Sequence, residues 1–69
     1  MDFSEALKLL KQGATLRRDS WSESKHIELI SDKNSDLFLP YIRITTKNKT
    51  GVYTATNFDI LANDWVLLE

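Results

Sequence analysis

Sixty-nine residues make one small domain (1–69), because a chain of this length does not split into two cores. Hydrophobic residues at 42% make it too apolar for a disordered tail, and the absence of cysteine excludes both a disulfide framework and a thiolate metal site. Nine basic residues against ten acidic give a net charge of −1, without the basic excess that duplex nucleic acid demands, while a small anionic ligand needs only about two or three well-placed cations.

Residues 1–13 carry the pattern of a capped amphipathic helix. Asp2 stands at the N-cap with Glu5 three residues on, as in a capping box. Phe3, Ala6, Leu7 and Leu10 then fall on one helical stripe, Lys8 and Lys11 load the C-terminal turn, and Gly13 is the residue expected to take a left-handed C-cap. Strands are predicted next. Residues 15–18 form a short extended piece with Leu16 inward. In 26–30, Ile27 and Leu29 alternate against His26 and Glu28. A polar loop spans 31–36, and Pro40 lets a strand begin but not run through it. Residues 41–45 alternate again, with Ile42 and Ile44 opposite Tyr41, Arg43 and Thr45. A turn is expected over 47–51, with Val52 and Tyr53 starting the return strand of a hairpin. Thr56 with Asp59 repeats the capping pattern and opens a short helix carrying Phe58, Ile60, Leu61 and Ala62, which Asn63 and Asp64 break before a last strand over 65–68. This order predicts an α+β fold: an N-terminal helix packed on a small antiparallel sheet, with a short second helix before the last strand. No apolar run spans a membrane, and residues 1–5 show no basic or apolar signal region, so a cytoplasmic location is expected.

Catalytic equipment is sparse. His26 is the single neutral-range base, and no serine stands near it at a motif spacing. Asp59 and Asp64 can pair in space, but helix capping explains Asp59. With two glycines in the chain there is no phosphate loop, and no metal cluster is expected. Two clusters instead suit binding. In the first, Arg17 and Arg18 face opposite sides of a strand, so at most one of them joins Trp21 in a common site, where a guanidinium suits phosphate oxygens and an indole a base. The bland alternative is a solvated strand end with Trp21 in the core. In the second, Tyr53, Thr54, Thr56 and Asn57 lead into a helix N-terminus, a place for an anion and for sugar hydroxyls, with Asp59 reading a ribose hydroxyl or serving structure alone. Seven aromatics (Phe3, Trp21, Phe38, Tyr41, Tyr53, Phe58 and Trp65) are many for one small core, so some are expected at a subunit interface or in a pocket.

Taken together, two stretches resemble a known family. Phe3, Ala6, Leu7, Leu10, Gly13, Leu16, Arg18 and Trp21 match its N-terminal signature in spacing. Tyr53, Thr54, Thr56, Asp59, Ile60, Leu61, Ala62, Asp64 and Trp65 match its C-terminal one, with Pro40, Tyr41 and Ile42 between. The family is that of the small phage proteins of the second Thoeris anti-defence type. The resemblance implies a non-enzymatic sponge without cofactor, which sequesters a cyclic ADP-ribose-type immune signal (glycocyclic ADP-ribose) and so blocks effector activation. It also implies a homo-oligomer, dimer or tetramer, with ligand pockets between subunits. On this likeness Arg18 and Trp21 stand at the family's Arg and Trp, and with the second cluster the expected ligand-binding residues are Arg18, Trp21, Tyr53, Thr54, Thr56, Asn57 and Asp59. Tyr53 stands where the family often has Trp, and Ala55 where it often has Pro, so ligand identity is what these departures bear on. The alternatives are a cyclic-dinucleotide sponge, a protein-binding inhibitor of a host defence protein, and a small nucleotide hydrolase with His26 or Asp59 as base.

Overall fold

A computed structural model describes residues 1–34, 36–37 and 39–68. Helix α1 (Phe3–Lys11) is followed by strands β1 (Thr15–Arg18) and β2 (His26–Ile30), β3 (Tyr41–Thr46) and β4 (Lys49–Val52), a short helix α2 (Asn57–Ile60) and strand β5 (Trp65–Leu68). The strands form one antiparallel sheet in the order β4-β3-β2-β1-β5. The last strand therefore returns to pair with the first, and Met1 bonds to the start of that strand at Trp65.

The helix ends behave as their residues require. The Asp2 carboxylate accepts the Glu5 N–H at 2.9 Å, and Gly13 takes φ +96, a conformation in which a Cβ would be strained. Strand alternation then divides the sheet. Leu16 and Arg18, Ile27 and Leu29, Ile42 and Ile44, and Trp65 and Leu67 share the α1 face by register. Ala6, Leu10, Leu16, Ile27 and Trp65 are the buried core, with Phe3, Leu7 and Trp21 packed against them. The opposite face carries Thr15, Arg17, His26, Glu28, Arg43 and Thr45, where Arg43 is ion-paired to Glu28 across the β2–β3 register.

Two local features differ from the expected pattern. The loop at 31–36 contains a 3-10 turn, Asp32–Asn34. The hairpin turn is tighter than expected: Lys47 adopts φ +51, so two residues reverse the chain and β4 begins at Lys49 rather than at Val52. Thr50 then pairs with Thr45 and Gly51 with Ile44, because a tight reversal keeps β-branched residues in register. Tyr53 lies just beyond β4, where its N–H still reaches the Ile42 carbonyl at 2.8 Å. Phe38, counted among the aromatics, lies outside the described residues.

Candidate functional site

Five of the residues singled out from sequence meet at one corner of the molecule, where β1 ends, α2 begins and β5 starts. Asp59 is its hub. Thr56 caps α2 by accepting the Asp59 N–H through its side-chain oxygen at 3.2 Å, which fixes Asp59 in the first turn. The Asp59 carboxylate, in a residue only 8% exposed, accepts from the Tyr53 hydroxyl at 2.8 Å and from the Arg18 guanidinium at 3.1 Å. Its carbonyl accepts the Trp65 indole N–H at 2.9 Å, so a core tryptophan spends its single polar atom on α2.

Arg18 is shared. Its Nε donates to Asp64 at 2.8 Å while its terminal nitrogen holds Asp59, so one guanidinium faces two carboxylates. Asp64 also accepts the Ser20 N–H at 3.3 Å, and its carbonyl accepts the Asp19 N–H at 2.9 Å. These bonds tie the turn after β1 to the start of β5. Arg17, on the other side of the strand, closes the same turn by donating to the carbonyls of Arg18 and Trp21 at 3.1 and 3.4 Å.

The turn presents Trp21. The indole is half-buried, edge-on to Trp65 at 5.3 Å between centroids and to Tyr53 at 6.2 Å. The Lys25 ammonium sits over it, 4.5 Å from the ring centroid, an interaction worth about 0.5–1 kcal/mol at an exposed position. Thr54 and Asn57 are exposed on the connection into α2. Phe58 and Leu61, beside Asp59, are 81% and 79% exposed. A depression of about 330 Å³ lies elsewhere, along α1 among Ser4, Glu5, Leu7, Lys8 and Lys11, and gathers none of these groups.

Electrostatics follow from the pairing. Burial by itself would raise the Asp59 carboxyl, but the Tyr53 and Arg18 hydrogen bonds outweigh it and hold the group below its ordinary value. The Arg18 hydrogen bond likewise depresses Asp64. Burial, with the Asp59 carboxylate beside it, pushes the Tyr53 phenol up, so it stays a donor. Both aspartates therefore bind more protons unfolded than folded near their titration range. Their contribution to stability is complete above about pH 5, begins to fall near the unfolded value of about 3.9, and is lost as pH drops through the lower folded values. Urea midpoints measured from pH 6 downward are expected to decline steeply below about pH 4, and Asp64→Asn to flatten that decline.

The structure thus brings Arg18, Trp21, Tyr53, Thr56 and Asp59 together, with Thr54 and Asn57 at the rim. The pairing of Asp59 with Asp64 takes place through Arg18 between them. Lys25 was missed, because a lysine four positions after a tryptophan in a polar turn carries no periodic signal. His26 lies on the opposite face of the sheet, paired in register with Thr45. Compared with known protein families, the chain matches the Thoeris anti-defense 2-like domain over residues 1–68. No curated protein matches it.

Proposed function

The chain belongs to the Thoeris anti-defense 2-like family, an anti-defence family of phage, and we propose that it acts by sequestration. In this reading it binds a cyclic ADP-ribose-type immune signal, glycocyclic ADP-ribose, and holds it uncleaved, so the downstream effector is not activated. The observation that carries the reading is the half-buried Trp21 indole, braced edge-on by Tyr53 and Trp65 with a cation over its ring. A pre-set aromatic beside a positive charge suits a base joined to phosphates. Thr54 and Asn57 at the rim suit sugar hydroxyls.

The energetics allow it. A ligand of ~35 heavy atoms at ~0.3 kcal/mol per atom reaches about −11 kcal/mol, near nanomolar, which is what stoichiometric capture needs. The corner also favours holding over cleaving, since Asp59 and Asp64 are both engaged by Arg18 with their carboxyls held low, which makes them weak bases. Phe58 and Leu61, exposed beside the corner, support a homo-oligomer, a dimer or tetramer, in which a second copy covers α2 and completes the pocket. The same apolar pair supports a second reading, an inhibitor module that covers a host defence protein.

Calorimetric titration of the purified chain with cyclic ADP-ribose isomers and cyclic dinucleotides, followed by mass spectrometry of nucleotide released by heat, tests this. Tight uptake and an unaltered released mass are expected. A released product of different mass would make the protein a hydrolase or lyase. No heat with any nucleotide would defeat the sponge and favour the protein-binding reading.

A further inference from the structure

An anionic ligand at this corner needs a cation, and the arginine that the sequence offers for the task is already committed. Arg18 faces two carboxylates, so the Arg18, Asp59 and Asp64 cluster carries an excess negative charge and repels phosphate. Arg17 directs its donors to the carbonyls of Arg18 and Trp21, and Arg43 is paired with Glu28 on the far face. Lys25 differs from all three. Among the described residues no carboxylate oxygen lies within ion-pair distance of it, and its ammonium rests on the Trp21 ring.

That position has a consequence for stacking. The ammonium occupies an indole face, and the two other aromatics at the ring, Tyr53 and Trp65, stand edge-on to it. A base that stacks on that face must move the ammonium aside. The four-carbon stem of a lysine allows this at small cost, and the displaced charge stays at the ring's margin, where the ribose and phosphates of a stacked nucleotide extend.

We propose that Lys25, rather than Arg18, is the phosphate-binding cation of the site: a nucleotide base displaces the Lys25 ammonium from the Trp21 indole, and the ammonium then pairs with the nucleotide's phosphate. The inference rests on the sequestration reading above. Arg18 becomes the group that builds the corner, and Lys25 the group that reads the charge. The exchange also explains why a half-exposed indole is not left bare in the free protein: the lysine covers it until a planar, anionic ligand offers both a ring and a phosphate.

The test uses the full chain and whichever cyclic ADP-ribose isomer or cyclic dinucleotide the wild type binds most tightly. Lys25→Gln is expected to weaken binding about tenfold, as for loss of a charge-assisted contact, and to flatten its dependence on salt, while melting at the wild-type temperature within a few degrees. Lys25→Arg is expected to restore both affinity and salt dependence. Wild-type affinity and an unchanged salt slope in Lys25→Gln would overturn the assignment while leaving sequestration in place. So would Lys25→Arg binding as weakly as Lys25→Gln. A wild-type chain that takes up none of these nucleotides would overturn the sequestration reading, and this inference with it.

Discussion

Trp65→Ala is expected to leave the chain largely unfolded at room temperature. Trp65 is 2% exposed, packs on Phe3 at 5.5 Å and on Trp21 at 5.3 Å between centroids, and donates its indole N–H to the Asp59 carbonyl. Its backbone N–H bonds to the Met1 carbonyl at the start of β5, so the residue joins α1, α2 and the sheet at once. Truncating a buried tryptophan costs about 3–5 kcal/mol, and a domain of this size holds roughly 3–5 kcal/mol in all. Far-UV circular dichroism and a urea titration would check this. A cooperative transition near the wild-type midpoint would mean that the corner is not the keystone of the core. Trp65→Phe should retain a folded but weakened domain, because it keeps most of the ring contacts and loses the hydrogen bond.

Trp21→Ala is expected to abolish nucleotide binding at micromolar concentrations. On the proposed sequestration the indole supplies the stacking surface, worth ~1–3 kcal/mol per base, and it already carries the Lys25 ammonium over its ring. The substitution removes two edge-on contacts as well, each worth about 0.5–1.5 kcal/mol, so some loss of stability accompanies it. Trp21→Phe separates the two effects, since a smaller ring keeps packing against Trp65 while presenting less area to a base. It should fold and bind with intermediate affinity. Calorimetry on both variants, alongside thermal melts, gives the answer. A folded Trp21→Ala that binds as the wild type does would place the ligand elsewhere.

The two substitutions bear on one architectural point. The residues that brace the Trp21 indole also hold the fold together. Arg18 links a strand end to α2 and to the start of β5, and Asp59 joins Tyr53, Arg18 and the α2 cap. On the proposed sequestration, rigidity at the corner is an advantage, because groups already held in place lose little freedom when a ligand arrives. The ion pairs and edge-on rings at the corner extend the core of this short, cysteine-free chain outward.

Local chemistry was legible along most of the chain. The α1 stripe of Phe3, Ala6, Leu7 and Leu10, the caps at Asp2, Gly13 and Thr56, and the alternation in β2 and β3 are each settled by neighbours within a few positions, and a single sequence carries such signals in full. The α+β class followed from them, since a helix and strands with apolar stripes bury those stripes only against one another. The resemblance in the two motifs named the family, and the match over residues 1–68 agrees with it. The tight turn at Lys47 was less legible, because a lysine in the left-handed region is uncommon and sends no sequence signal.

What the sequence by itself determined, then, was the set of elements, their inward faces and two local clusters, Arg17, Arg18 and Trp21 in one and Tyr53, Thr54, Thr56 and Asn57 in the other, whose meeting at one corner is tertiary. What tertiary structure alone decided was the role of each. Arg18 and Asp64 stand 46 positions apart, and Arg18 and Asp59 stand 41 apart. No local pattern says that a conspicuous arginine will be neutralised by two distant carboxylates while an unremarked lysine keeps its charge free over an indole. The physical reason is that pairing depends on distance in space. Closing β5 onto β1 is the step that brings the acids to Arg18 and leaves Lys25 over the Trp21 ring.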